Sequence, residues 1–409
     1  MLQNTLVLGW RQALLFLTRY FSPSSQRCEA IIMRWWADAP PGVQAQPKAG
    51  SSFNTTILNP KTCVQKGLCP ASADRDGQPR NLYYEVHGDL EASQKLVLNG
   101  LELTKIKNFC PQTHSPHLAS CCMLWIENIY RIITGLMFTC AAWSEQVDHF
   151  SQKVDHAVLV MDNRGVGNSE CGSWAPYRTA GMAQDVKCVL DFVGWVKDRS
   201  LHIFGVSLGG MIAQNLVLFI YFAWCLLIPK RIKSISFVST RCGSVFDMPS
   251  VSSQDVLLKA TFGIRRKESF EKRLDLLFEL LYPPSFLNQS VASGKIRRDE
   301  LLTYYQTWFD DPQLPNAGIF GQFCAAGLHH CPDAKLEQVA ADLQPAKIMV
   351  ITGDRDKLVV PLRSLELSQK LPGSELVVFR DAGHLLCSQV PQQFNRLMER
   401  IIDEGNQAF

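Results

Sequence analysis

The chain has 409 residues, 46% of them apolar and 19% charged, with a formal net charge of +3. This is the composition of an ordinary globular protein, long enough for one large α/β domain with additions or for two domains, and its charge offers no basic footprint for nucleic acid. Fourteen cysteines without paired C-x-x-C spacing or a zinc-type His/Cys grouping, in a chain too long for a disulfide scaffold, read as mostly reduced core thiols of an intracellular protein. Cys121-Cys122 and the spaced pair Cys63 and Cys69 are where a metal or redox site would be sought. The expectation is chemistry on a small-molecule substrate.

Residues 1–58 read as an N-terminal extension. There is no acidic residue before Cys28, and Arg11, Arg19 and Arg27 punctuate an apolar, serine-containing stretch, the composition of a mitochondrial presequence. Arg11 interrupts the apolar run, so the segment fits neither a secretory core nor a membrane span, which needs about 20 continuous apolar residues. A poorly ordered extension, or one upstream of a start at Met33, is the competing reading, and the expected location is mitochondrial or cytoplasmic. Residues 38–60, with Pro40-Pro41, Pro47 and Gly50, read as a linker. The sequons at Asn54 and Asn288 matter only on a secretory route.

From Asn81 the pattern becomes periodic. Leu82–Val86, Lys95–Asn99, Ala157–Met161, Leu201–Val206, Ile232–Val238, Lys347–Thr352 and Glu375–Phe379 are short β-rich runs. Helical spacing is seen over Thr179–Val196, Gly210–Leu218, Pro361–Leu371 and Pro391–Ile402. Such alternation predicts an α/β fold with a mostly parallel sheet, helices on both faces, and functional residues at the carboxyl ends of the strands. The alternation stops over 243–336, where the pattern is helical, as in Phe270–Leu281, and aromatic, with Phe278, Tyr282, Tyr304, Tyr305, Trp308 and Phe320. This stretch is expected to form a helical cap between a core of 59–242 and its completion in 337–409. An apolar inner face would suit an apolar or acyl-like substrate, and a helical subdomain with its own core is a compatible reading.

Gly205-Val206-Ser207-Leu208-Gly209 lies between an apolar strand and a helix. In that context a G-x-S-x-G sequence makes a sharp turn that holds the serine hydroxyl out above the sheet edge. A serine hydroxyl is a poor nucleophile at neutral pH; it needs a base within reach, itself oriented by a buried carboxylate. Downstream of Ser207 the histidines are His329, His330 and His384. His384 is favoured because Asp381-Ala382-Gly383-His384 follows the last predicted strand, whereas the other two fall in the helical stretch and read as surface or pocket residues. Asp354 and Asp356 both follow strand 347–352; Asp356 is preferred as the acid, since Asp354 sits where a turn is usually capped. The backbone N–H of Leu208 would supply one oxyanion donor, and that of Leu101, after Asn99-Gly100, the second.

Taken in order, Leu82–Gly88, Leu96–Leu101, Ala141-Ala142-Trp143, the Asp162-Asn163-Arg164-Gly165-Val166-Gly167-Asn168-Ser169 turn, Asp185, Gly205–Gln214, Gly353–Asp356 and Asp381–His384 resemble the α/β-hydrolase superfamily, in its serine-nucleophile branch. The pieces cover about two thirds of the chain. The resemblance implies a central eight-stranded sheet, a helical cap, and hydrolysis of a carboxylic ester, thioester or amide through a Ser207–His384–Asp356 triad and an acyl-enzyme, without metal or organic cofactor. Arg164 and Asp185 match positions that look structural.

Two stretches depart from the family pattern. About forty residues separate Leu101 from Trp143 where the family uses fewer than ten, and residues 219–226 lengthen the helix after the elbow. The odd composition of 102–136 and 219–226 suggests retained intron sequence or a gene-model error. Excision would leave Leu101 or Leu136 as the second oxyanion donor; if retained, 102–136 emerges at the mouth of the site, where it would extend the cap, dock on a membrane surface or block the site. An acyltransferase, a carbon–carbon hydrolase, a cofactor-free peroxidase or a non-catalytic ligand binder on the same scaffold remain alternatives.

Overall fold

The computed structural model describes residues 58–71, 80–99, 139–172, 175–217, 228–243, 270–291, 293–309 and 316–409. The extension up to residue 57, Cys121-Cys122, Leu101, Leu136 and the insertions 102–136 and 219–226 lie outside the described residues.

Eight strands form one sheet: β1 (Cys63–Ala71), β2 (Arg80–Gly88), β3 (Gln94–Asn99), β4 (His156–Met161), β5 (Leu201–Val206), β6 (Ile232–Val238), β7 (Lys347–Gly353) and β8 (Glu375–Phe379). Their spatial order is β1-β2-β4-β3-β5-β6-β7-β8. β2 is antiparallel to both β1 and β4, and the remaining pairs are parallel. Among the strands with a parallel partner, β4, β5 and β7 are buried along almost their whole length, as expected of strands covered on both faces, whereas β8 lies at the sheet edge and is only partly covered.

β1 is the strand that sequence periodicity does not reveal. Gly67 and Pro70 interrupt it, and no apolar alternation marks it. Proline is tolerated there because β1 is an edge strand with one unpaired side. Cys63 and Cys69 lie six residues apart along this strand, roughly 20 Å at about 3.3 Å per residue, so they form no joint site.

Alternation along the strands sorts side chains to two cores. Val97, Leu159, Ile203, Ile235, Phe237 and Val350 face one side, where α2 (Thr179–Phe192) and α3 (Leu208–Val217) pack. Leu96, Val158, Phe204, Val238 and Ile351 face the other side, where α1 (Ser144–Phe150) packs. Sequence spacing carries α2 as far as Val196, but it ends at Phe192: the chain turns at Gly194 (φ 76°), and Trp195 N–H donates back to the Leu190 carbonyl at 2.8 Å. That is a Schellman-type stop.

Between β6 and β7 the described chain is helical: α4 (Phe270–Leu281), the short α5 (Pro284–Leu287), α6 (Arg297–Phe309), α7 (Asn316–Gly327) and α8 (Asp333–Leu343). Leu274, Leu277, Phe278 and Leu281 of α4 belong to the same core as α1, whereas Leu336, Val339 and Leu343 of α8 belong to the core of α2 and α3. After β7 come α9 (Pro361–Gln369), α10 (Leu386–Gln389) and α11 (Pro391–Gln407). No described helix is long and apolar enough to cross a membrane.

Candidate active site

Three neighbouring strand ends supply the candidate residues: Ser207 follows β5, Asp356 follows β7 and His384 follows β8, with β6 between the first two. Parallel strands place all these exits on one edge of the sheet, so residues 177 positions apart in sequence converge there by topology alone.

Ser207 is 5% exposed and sits at φ 53°, the left-handed region that costs a non-glycine residue roughly 1–3 kcal/mol. The surroundings fix it in place. Its N–H donates to the Val238 carbonyl at 2.9 Å, and its carbonyl accepts from the Thr240 hydroxyl at 2.7 Å and from Met211 N–H at 3.2 Å. Crowding explains the flanking glycine, since a Cβ at Gly205 would lie 2.5 Å from the Gly209 carbonyl oxygen. The next residue, Leu208, opens α3, where a backbone N–H has no acceptor within its own helix. The start of α3 therefore offers a donor to an anion.

His384 and Asp356 are brought together. The His384 Nδ1–H donates to Asp356 Oδ2 at 2.8 Å, with both side chains fully buried. The other carboxylate oxygen, Oδ1, accepts from the N–H groups of Leu358 at 2.9 Å and Val359 at 2.8 Å. Asp356 is thus oriented on one side by main chain and on the other orients the imidazole. A carboxylate accepts at Nδ1, so the tautomer leaves a lone pair on Nε2. That Nε2 atom is buried and has no hydrogen-bond partner among the described residues. Asp354, two residues earlier, is exposed.

The two histidines of the helical stretch are engaged elsewhere. His329 is buried, not at the surface, with Nδ1 3.0 Å from Thr179 Oγ1 and Nε2 3.2 Å from Gln214 Oε1. Burial pushes its imidazole down to about 3. His330 is exposed, with Nδ1 against the Gly243 carbonyl at 2.8 Å.

The glycine-rich turn after β4 is a scaffold beside this edge. Arg164 forms a bidentate, buried ion pair with Asp185 of α2. Asp162 accepts from Cys140 N–H at 2.6 Å and Asn168 N–H at 2.9 Å, and burial pushes its carboxyl up to about 6. Leu101, expected as the second oxyanion donor, lies outside the described residues.

Among the described residues one group has metal-ligand composition: Cys63, Glu85 and His87, whose ligand atoms lie within 4.8 Å of one another. Each of these side chains already has a protein partner. Glu85 accepts from Tyr83 O–H at 2.6 Å and meets His87 Nε2 at 2.8 Å; His87 Nδ1 lies 2.9 Å from Thr62 Oγ1; and the Cys63 thiol donates to the Gln65 carbonyl at 3.6 Å. Burial, with Glu85 nearby, pushes the Cys63 thiol up to about 11, away from the thiolate a metal would need. The group is a polar core network.

Sequence reasoning did not find the residues that hold the histidine loop, namely Leu281 and Gln389. Leu281 acts through its carbonyl, which carries no side-chain signal. Gln389 bonds to backbone six and eight residues upstream, a pattern that becomes visible only in three dimensions.

Comparison with known proteins bears on the family and the fold. Rhodomycin D methylesterase DauP of Streptomyces sp. (strain C5) is 24% identical over 281 residues, covering 64% of this chain and 89% of that protein. Pimeloyl-[acyl-carrier protein] methyl ester esterase of Aeromonas hydrophila is 22% identical, covering 66% and 94%. Among solved structures, a hydrolase from Pseudomonas aeruginosa PA01 superposes with a TM-score of 0.55 at 19% identity, covering 83% of this chain and 98% of its own. At that identity the likeness speaks for the fold. A family model described as alpha/beta hydrolase fold matches residues 132–389, more than half of the chain, and the chain belongs to that family.

Proposed function

We propose that the protein is a serine hydrolase that cleaves a carboxylic ester, thioester or amide of a small to medium apolar substrate, with Ser207 as nucleophile, His384 as general base and acid, and Asp356 as its orienting carboxylate. The observation that carries this reading is the buried His384–Asp356 pair, with Nε2 left without a partner on the strand edge where Ser207 is held in a strained turn.

In this mechanism the Ser207 oxygen attacks the substrate carbonyl carbon and its proton passes to His384 Nε2. Negative charge collects on the carbonyl oxygen, where the Leu208 N–H stabilises it; Leu101 is the proposed second donor. Collapse of the tetrahedral intermediate breaks the bond to the leaving group, which takes the proton from Nε2. Water then repeats the sequence on the acyl-enzyme, its proton going to Nε2 and returning to Ser207 as the acid departs. Throughout, Asp356 holds the tautomer and stabilises the imidazolium. The helices between β6 and β7 are proposed as the cap over this site: α4 ends against the His384 loop, and Gly318 of α7 lies so close to Gly165 that a Cβ there would meet the Gly165 carbonyl oxygen at 1.9 Å.

Ester cleavage is favoured within this class because matched relatives include two methylesterases, DauP and DnrP, the pimeloyl methyl ester esterase and a lipase of Moraxella. Carbon–carbon cleavage is the second reading, supported by matches to 2-hydroxy-6-oxononadienedioate hydrolases of Pseudomonas putida and Klebsiella pneumoniae and by the fold likeness to a meta-cleavage product hydrolase of Pseudomonas fluorescens. A panel of aryl esters of increasing acyl length, assayed on wild type and Ser207→Ala, tests the assignment. The proposal expects hydrolysis that depends on acyl length and is lost in Ser207→Ala; equal rates for the two proteins refute it.

A further inference from the structure

The backbone that carries His384 is tied to the loop after β7 by Arg355 N–H, which donates to the Ala382 carbonyl at 2.9 Å, and is gripped from two further sides. On one side is the end of α4. The Leu281 carbonyl accepts from His384 N–H at 2.9 Å and from Leu385 N–H at 3.4 Å, and a Cβ at Gly383 would lie 2.3 Å from that same oxygen. The turn can therefore lie against α4 only with glycine at 383. On the other side is one side chain, Gln389 at the end of α10. Its Oε1 accepts from Gly383 N–H at 2.8 Å and its Nε2 donates to the Asp381 carbonyl at 2.6 Å. The amide spans the turn, with one bond on either side of Ala382.

The turn needs such a brace. Asp381 is exposed and held at φ 53°, a conformation that favours glycine and relaxes unless its surroundings fix it. The main-chain grip of Leu281 acts at His384 and beyond it, whereas the amide acts at Asp381 and Gly383, where the chain leaves β8. Displacing the turn there would carry the imidazole with it. The Asp356 carboxylate is held by Leu358 and Val359 N–H, outside the turn, so a change at Asp381 and Gly383 acts first on the ring and reaches the carboxylate only through the bond from Arg355 N–H to the Ala382 carbonyl.

We propose that Gln389 is a positioning residue for His384, fixing the Asp381–Gly383 turn and through it the direction of the imidazole edge that bears Nε2. This rests on the reading of His384 as the general base. Gln389 is half-buried, so its substitution leaves the core intact. It touches no reacting atom, and its effect falls on alignment, where a shift of about 1 Å costs on the order of 100-fold in rate.

The test pairs kinetics with a readout that does not depend on turnover. In Gln389→Leu, which removes both bonds, kcat for an aryl ester is expected to fall about 10- to 100-fold with KM little changed. Gln389→Glu retains the acceptor for Gly383 N–H and loses the donor to Asp381, so it should fall between Leu and wild type. In parallel, protein carrying ring-15N histidine is compared with the His384→Ala spectrum, which assigns the His384 signals. The proposal expects those signals to shift or broaden in Gln389→Leu while the other histidines keep theirs. Unchanged His384 signals in a folded Gln389→Leu protein overturn it, whatever the rate does. If wild type cleaves no ester and yet the His384 signals move, the positioning role holds and the hydrolase reading fails.

Discussion

His384 with Asp356 at the carboxyl edge of the sheet, and His87 with Glu85 inside β2, are both fully buried histidine–carboxylate pairs joined at 2.8 Å. By composition, burial and distance the two are equivalent, yet their surroundings give them opposite prospects. His87 has Thr62 on its second nitrogen, and Glu85 has Tyr83 on its second oxygen, so the network closes on itself. Asp356 spends its second oxygen on two main-chain amides, and His384 keeps its second nitrogen without a partner. Two further buried histidines complete the contrast. His202 lies between Ser234 and Gln94, and His329 between Thr179 and Gln214, each with two neutral partners. Of the four buried histidines among the described residues, His384 is the one whose ring retains a buried nitrogen without a partner. A titratable residue in the core therefore does not announce a reaction. An oriented ring with one unengaged nitrogen, on the same strand edge as a strained serine, is the combination that points to one.

Substitutions in the two pairs should separate them sharply. Asp356→Asn should lower kcat by roughly 10³- to 10⁴-fold through loss of the correct tautomer, with little change in KM, as read by steady-state kinetics on an aryl ester. Glu85→Ala should leave kcat nearly untouched and instead cost roughly 2–4 kcal/mol in urea unfolding, because it strands Tyr83 O–H and His87 Nε2 in the core. If Glu85→Ala slowed turnover as much as Asp356→Asn while melting normally, the contrast between the pairs would collapse.

The neutral histidines make a pH prediction. Burial pushes His202 and His329 from 6.5 down to about 3 in the folded protein. A depressed folded value means that the unfolded chain binds more protons between those limits, so this contribution to stability is full above pH 6.5 and is lost as pH falls toward 3. Asp162 acts in the opposite sense: burial raises it from 3.8 to about 6, so its contribution falls as pH rises through that window. Two histidines against one carboxyl should leave a net loss of stability on acidification below about pH 6.5, and His329→Gln should flatten it. A melting temperature that is constant or rising from pH 6.5 to 4 would contradict this balance.

Much of the site was legible because topology and chemistry repeat themselves in sequence. Each candidate triad residue lies within a few residues of the end of a β-rich run, and Gly205 flanks Ser207 because backbone approaches it closely. Other features had no sequence signal. β1 is an edge strand whose Gly67 and Pro70 mask its periodicity. Helical spacing in α2 ran past Phe192 because Val193 and Val196 continue the apolar pattern beyond the turn at Gly194. His329 read as a surface or pocket residue, since sequence cannot show that Thr179 and Gln214 enclose it. The supports of His384, the Leu281 carbonyl and the Gln389 amide, come from elements whose meeting only the fold determines.

The central claim is that Ser207, and no other residue, becomes acylated with His384 as its base. The most direct measurement is peptide mass mapping after reaction of the folded protein with a serine-directed fluorophosphonate. The account predicts one phosphonyl adduct on the peptide carrying Ser207, lost in Ser207→Ala and slowed by roughly 10³-fold or more in His384→Ala. An unmodified Ser207 in protein with a normal unfolding transition, or an adduct that persists in Ser207→Ala, would contradict it.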